Sequence, residues 1–253
     1  MNSKDLENIV VSASLEAGAA IKSIYLQANF SIETKTDNSP LTAADKVSHQ
    51  VILKYLNNTP YPIISEEGCD VDFEIRKNWD TYWLIDPLDG TKEFIKKNGE
   101  FTTNIALIRE KKPILGAIYS PIRKELYVGG KLLSKAYVQN ENKEISPLQN
   151  KPVYQKINKV VVSRSHLNEE TQEFIKTIGN PQTKAIGSSL KFMLLARGEA
   201  EIYPRFGPTM EWDTAAADAI VSFLGFQLKH TDDKSKTLTY NKENLLNPHF
   251  ICK

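Results

Sequence analysis

Three short segments concentrate the carboxylates of this chain: Ser65-Glu66-Glu67-Gly68, Asp86-Pro87-Leu88-Asp89-Gly90-Thr91 and Glu211-Trp212-Asp213-Thr214. Asp86 directly follows the apolar run Tyr82-Trp83-Leu84-Ile85, so its side chain emerges at the C-terminal edge of a strand, where open α/β sheets place ligands. Pro87 fixes the chain direction after it, and Asp89 returns three residues later on the same turn. Both carboxylates therefore reach one small volume, with the Leu88 carbonyl exposed between them. Hard cations such as Mg²⁺ take an oxygen set of this mixed kind. Gly90-Thr91 then opens a short helix through Lys96, and the unpaired amides of a helix start, with a glycine allowing close approach, form an anion seat.

Each piece alone has a plainer reading. Asp-Gly is a turn dipeptide with Asp89 as a helix cap. Thr42-Ala43-Ala44-Asp45 fits a capping box, Glu66-Glu67 fits an exposed acidic pair, and Glu211 and Asp213 are acids favoured by the dipole of a helix start. The composite Asp-Pro-Leu-Asp-Gly-Thr behind an apolar strand is more specific, and it raises the others as pieces of one site.

Elements must bring these segments together. Apolar residues at Ile9, Val10, Ala13, Ala17, Ala20, Ile21 and Ile24 make a helical stripe over 6–25. The polar stretch 35–40 breaks it, and a second helix is predicted over 42–56, with Val47, Val51, Ile52 and Tyr55 inward. A short strand is expected at 63–65. Further strands at 82–85, 102–109, 114–119 and 125–128, with Asn98-Gly99 and Gly129-Gly130 as turns, read as an antiparallel meander. The polar segment 131–152 suits a boundary, dividing the chain into an N-terminal α+β half (1–135) carrying most of the carboxylates and a C-terminal α/β half (136–253) with Asp213. In the second half strands at 159–163, 183–186 and 200–203 alternate with helices at 168–178, 189–197 and 213–224, which argues for layered α/β packing.

Composition narrows the function. The 253 residues suit one large domain or two joined smaller ones, and 32 basic against 31 acidic residues give a net charge of +1. That balance offers no footprint for nucleic acid. Cys69 and Cys252 are too few for a disulfide framework, which favours a reducing compartment. No apolar stretch is long enough to span a membrane, and the start carries Asp5 and Glu7 where a leader carries bases. A cytoplasmic protein is expected. His49, His166, His230 and His249 lack zinc-type spacing, and no dinucleotide fingerprint, Walker loop or serine-nucleophile elbow occurs. Cys69, close behind Glu66, is read as a passive thiol.

Leu84-Ile85-Asp86-Pro87-Leu88-Asp89-Gly90-Thr91 together with Trp212-Asp213-Thr214-Ala215-Ala216 resembles the paired signatures of the inositol monophosphatase superfamily, Mg²⁺-dependent, lithium-sensitive phosphomonoesterases. The resemblance covers essentially the whole chain. Within the superfamily the chain looks most like the 3′(2′),5′-bisphosphate nucleotidases of the CysQ group, on segments 37–45, 65–67, 91–95, 163–166, 187–192 and 203–207. The resemblance implies a layered αβαβα sandwich. It implies that Glu66, Asp86 and the Leu88 carbonyl hold a first Mg²⁺ and that Asp86, Asp89 and Asp213 hold a second. Asp45 and the Thr91 hydroxyl would orient the attacking water, and the Gly90 and Thr91 amides would cradle the phosphate. Where the family often carries Gly, this chain has Ala217 and then Asp218, which is expected to be solvated rather than a ligand.

A bisphosphorylated nucleotide needs extra cations and a flat contact. Arg164, Lys191 and Arg205 are candidate cations, Ser163, Ser165, Gly187, Ser188 and Ser189 candidate donors, and Tyr203 and His166 candidate walls for the base. The expected substrate is adenosine 3′,5′-bisphosphate, with 3′-phosphoadenylyl sulfate second, in the disposal of a by-product of sulfate activation. Monomer and homodimer both stay open, as does a peripheral contact with the inner membrane face.

Overall fold

The computed structural model describes residues 1–27, 32–34, 40–68, 71–150 and 156–253. Cys69 and most of the polar stretch 35–40 lie outside them. Helix α1 (Ser3–Tyr25) is capped by Asn2, whose side chain accepts from the Asp5 amide at 2.9 Å. Strands β1 (Ile32–Thr34) and β2 (Pro40–Thr42) pair as an antiparallel ribbon leading into α2 (Ala43–Leu56). Val47, expected inward on α2, is 41% exposed, whereas Val51, Ile52 and Tyr55 pack inward as expected, together with Leu56.

After β3 (Ile63–Ser65), a single 3₁₀ turn (Glu66–Gly68) and the short α3 (Phe73–Arg76) lead to β4 (Thr81–Asp89) and α4 (Thr91–Ile95). A meander follows: β5 (Thr102–Arg109), β6 (Lys112–Ser120), β7 (Glu125–Gly130), β8 (Lys135–Gln139) and β9 (Ile145–Pro147). These seven strands form one sheet in the order β3-β4-β5-β6-β7-β8-β9, parallel only between β3 and β4. Gly129 and Gly130 are not the expected turn. They end β7 and pair with Ala136 and Lys135, and Cβ atoms there would press on Ala136 and on the Ile114 carbonyl. The sheet ends inside the polar segment 131–152.

The second half runs β10 (Lys159–Ser163), α5 (Glu169–Thr177), β11 (Gln182–Ile186), α6 (Leu190–Ala196), β12 (Tyr203–Arg205), α7 (Glu211–Phe223), β13 (Leu228–His230) and β14 (Phe250–Cys252). The strand expected over 200–203 sits later, with Ile202 contributing only a bridge to Val160. That bridge joins the parallel pair β10–β11 to the antiparallel trio β12-β14-β13.

The alternation of β4 decides the layers. Trp83 and Ile85 face a core built with α1 and α2, through Leu6, Val10, Ala13, Ala17 and Ile52. Tyr82 and Leu84 face the larger core under α6 and α7, which also takes Val161, Tyr203 and Phe250 from the second sheet. Val160, Val162, Ile202 and Ile251 turn to the far side, against Ile175 and Phe174 of α5. The order is helices, sheet, helices, sheet, helix: the expected αβαβα sandwich. Helix α7 lies between two sheets, so Asp218, expected in solvent, is buried and accepts from the Tyr240 hydroxyl at 2.7 Å and the Ser222 hydroxyl at 2.5 Å. Ala217 is fully buried as a packing residue. Among the described residues no helix is long and apolar enough to cross a membrane.

Candidate active site

Asp86 follows Tyr82 and Leu84 on the face of β4 turned toward α7, and at the strand end the ladder with β5 shifts register between Asp86 and Asp89. Asp213 arrives at the third position of α7, where its Oδ2 accepts the Met210 amide at 2.9 Å. Asp86, Asp89 and Asp213 each present an oxygen within 4.8 Å of the others. Glu66, at the turn after β3, stands with its carboxyl against that of Asp86. Burial and then the charges of Glu66, Asp89 and Asp213 hold the Asp86 carboxyl well above the usual carboxylate range. Burial and the charges of Asp89 and Glu66 push Asp213 up to about 8. Like charges crowded out of water at this spacing suit a divalent cation, and an all-oxygen donor set suits a hard one.

Asp45 serves two partners. Its Oδ2 closes the capping box of α2 by accepting the Thr42 amide at 2.7 Å and hydroxyl at 2.6 Å. Its Oδ1 faces the Thr91 hydroxyl at 3.3 Å, and that hydroxyl also lies 3.4 Å from the Leu88 carbonyl. The plainer capping role and the proximity to chemistry therefore hold together. Gly90 has φ +95°, and a Cβ there would meet the Glu100 carbonyl at 3.0 Å and the Ser188 side chain at 3.3 Å, so glycine is required where the two halves touch.

A cleft of about 350 Å³ opens over this corner. Of the sequence-predicted residues, Glu66, Asp89, Gly90, Thr91 and Asp213 line it. So do Ser163, His166, Gly187, Ser188, Ser189, Lys191, Tyr203 and Arg205, whereas Asp45, Asp86 and Leu88 are buried outside its lining. Lys191 and Arg205 are each 92% buried, at 8% relative exposure. Burial draws the Lys191 ammonium down to about 8, and its Nζ donates to the Ser188 carbonyl at 2.5 Å. Arg205 donates one bond to the Pro208 carbonyl at 2.8 Å, and its Nε is buried with no partner among the described residues. Burial and the Arg205 and Lys92 charges lower the His166 pKa.

Two further expected residues do not line the cleft. The Arg164 guanidinium grips Glu100 through Nε at 2.5 Å and a terminal nitrogen at 2.6 Å, and the same carboxylate accepts the Gly187 amide at 2.8 Å. Ser165 donates to Glu93 and accepts from Lys96. Arg164 thus fastens the turn at 187–189 to the first half. Sequence reasoning did not single out Glu93, Phe192, Thr209 and Phe250, which also line the cleft, nor Asn104 behind it. Asn104 left little signal, since it follows Thr102 and Thr103 and only precedes the apolar run Ile105-Ala106-Leu107-Ile108 of β5.

Residues 2–249 match the model of the inositol monophosphatase family. The chain is 47% identical over 240 residues to a protein of Salmonella typhimurium named 3′(2′),5′-bisphosphate nucleotidase CysQ, covering 92% of this chain and 94% of that one. It is 45% identical over 240 residues, with the same coverage, to the protein of that name from Escherichia coli K12. Among solved structures, CysQ from Bacteroides thetaiotaomicron, described as a bacterial member of the same family, superposes with a TM-score of 0.87 at 41% identity, over 100% of this chain and 97% of that one.

Proposed function

The chain belongs to the inositol monophosphatase family, and we propose that it hydrolyses the 3′-phosphate of adenosine 3′,5′-bisphosphate to AMP and phosphate, with Mg²⁺ as its cation. One observation carries the nucleotide over a sugar monophosphate. The cleft is lined both by the acids Glu66, Asp89 and Asp213 and by two buried cations, Lys191 and Arg205, the second with an Nε that has no hydrogen-bond partner among the described residues. A substrate with one phosphate, held at the acids through its cations, would leave the two basic residues unused. A second phosphate would pair with them, and charged hydrogen bonds of this kind are the strong ones. The names of the relatives agree with this reading.

Glu66, Asp86, Asp89, Asp213 and the Leu88 carbonyl would hold the cations, which when bound supply Lewis acidity and lower the pKa of water. The chain's own residues do the rest. Asp45, through Thr91, orients a water opposite the 3′-oxygen, a positioning effect. The Gly90 and Thr91 amides face the equatorial oxygens, where charge builds in a loose transition state. The water oxygen bonds to phosphorus and gives up a proton, the bond from phosphorus to the 3′-oxygen breaks, and the leaving oxygen takes up a proton, so one water is divided between phosphate and AMP. Ser163, Ser188 and His166 line the path of the ribose, and Lys191 and Arg205 hold the 5′-phosphate. The same contacts accommodate 3′-phosphoadenylyl sulfate, and Li⁺ is expected to inhibit. The role that follows is clearing a by-product of sulfate activation.

The test is phosphate release from adenosine 3′,5′-bisphosphate and from inositol 1-phosphate, side by side, with Mg²⁺ and with EDTA. Faster release from the nucleotide, abolished by EDTA, is expected. Equal or faster release from the inositol ester would overturn the nucleotide assignment, and turnover in EDTA would overturn the cation.

A further inference from the structure

Asp89 lies where the β4–β5 ladder slips, so its own strand does not fix its carboxylate. Two buried neutral groups do. Asn104 on β5 is the cross-strand partner of Asp86 and is 1% exposed, and it points to the same face. The Thr102 hydroxyl lies 3.1 Å from its Oδ1, which turns the amide nitrogen the other way. That nitrogen donates to Asp89 Oδ2 at 3.3 Å and to Ser189 Oγ at 2.9 Å. Ser189, also 1% exposed, comes from the opposite half of the molecule at the start of α6. Its hydroxyl lies 2.9 Å from the same Asp89 Oδ2 and 3.1 Å from the backbone carbonyl of Asp213.

We propose that Asn104 and Ser189 are positioning residues that hold the Asp89 carboxylate in the orientation a divalent cation requires. The proposal rests on reading Asp89 as a cation ligand. Both donors reach Oδ2, and neither engages Oδ1. Both are uncharged, which decides their use: a lysine or arginine in either place would orient the carboxylate equally well but cancel the negative charge that attracts the cation. Hydrogen-bond partners of metal ligands are worth about 10–100-fold in metal affinity. The bridge also ties the first turn of α6, and hence Lys191, to the carboxylate corner.

The test is a titration of the full-length, substrate-free protein with Mn²⁺, followed by the electron paramagnetic resonance signal of the free ion. The proteins compared are the parent, Asn104→Leu, Ser189→Ala, Ser189→Thr and the double variant Asn104→Leu/Ser189→Ala. Thermal melts of each in EDTA run alongside. Mn²⁺ affinity is expected to fall roughly 10–100-fold in each single variant. The double variant should lose less than the product of the two, because both groups act on one oxygen. The threonine, which keeps the hydroxyl, should restore most of the affinity. Variants that melt lower yet bind Mn²⁺ within twofold of the parent would overturn the proposal and leave these residues a packing role. If Asn104→Leu does not fold, the serine pair decides by the same criterion. A parent that takes up no Mn²⁺ would overturn the proposal together with the ligand reading beneath it.

Discussion

At the scale of single residues, the site stores unfavourable electrostatics that the fold must hold in place. Asp86 is buried beside three other acids, and its carboxyl is driven well above its ordinary range. Replacing it with the neutral isostere, Asp86→Asn, should stabilise the metal-free protein while removing an intended ligand. The melting temperature in EDTA is expected to rise, by about 2–4 °C for each kcal/mol of repulsion relieved in a chain of this length. Phosphate release in Mg²⁺ should fall by more than about 100-fold. Lys191 gives a second, independent handle. In the free protein it titrates at about 8, below its ordinary value because it is buried. It is therefore a cation below that pH and neutral above it, and the attraction for a second phosphate is lost as pH rises. The Michaelis constant for the bisphosphate should climb between pH 7 and pH 9, that for a monophosphate should not share this limb, and Lys191→Met should flatten it. A common limb for both substrates would separate Lys191 from the second phosphate. The acids of this corner were legible because their spacing around Pro87 and Gly90 is unusual. Asn104 was not, because what makes it matter is the strand register that sets it opposite Asp86. Arg164 showed the converse: its type suggested an anion ligand, and only the geometry reveals that Glu100 takes its guanidinium.

At the scale of elements, α7 brings Asp213 to the site, and small residues let it approach. Gly116 on β6 lies so close beneath it that an added Cβ would sit 2.0 Å from the Ala216 carbonyl oxygen. On the other face of the sheet, a Cβ at Gly18 of α1 would meet the Tyr119 ring at 2.3 Å. The two clashes differ in kind. A half-buried tyrosine ring can turn aside, whereas a helix carbonyl moves only with its helix. Gly116→Ala should cost about 1–3 kcal/mol, the range for overpacking, and lower activity with it, while Gly18→Ala should cost less. Urea unfolding of both variants measures the difference, and equal costs would show that α7 yields as easily as a side chain. Helix α7 also shows where one-dimensional reading failed. The Asp218 position looked solvent-facing because a surface helix has a polar side, but a helix between two sheets has none, and the Tyr240 and Ser222 hydroxyls replace the water.

At the scale of the whole molecule, the cleft joins two stretches of chain far apart in sequence. Residues up to Thr91 contribute the carboxylate corner apart from Asp213, and residues from Gly187 on contribute Asp213 and the cations Lys191 and Arg205. Part-buried bonds tie the two stretches together, from Ser189 to Asp89 and from Gly187 to Glu100. The alternation of strands and helices made the later part of the chain legible as layered, and the meander was legible from its apolar runs, although Gly129-Gly130, expected to be a turn, ends β7. The joining of the second sheet through Val160 and Ile202 was not, since a single bridge leaves no periodicity to read.

Strand β6 lies fourth of seven in its sheet, with a helix pressed against each face at glycine distance. Neither helix can lift away without exposing a core, so the amide protons of residues 115–119 have no local route to solvent. In heavy water they should be among the slowest in the chain to exchange, at a rate that reports complete unfolding rather than breathing. Those few protons would then serve as a built-in clock for the lifetime of the folded state.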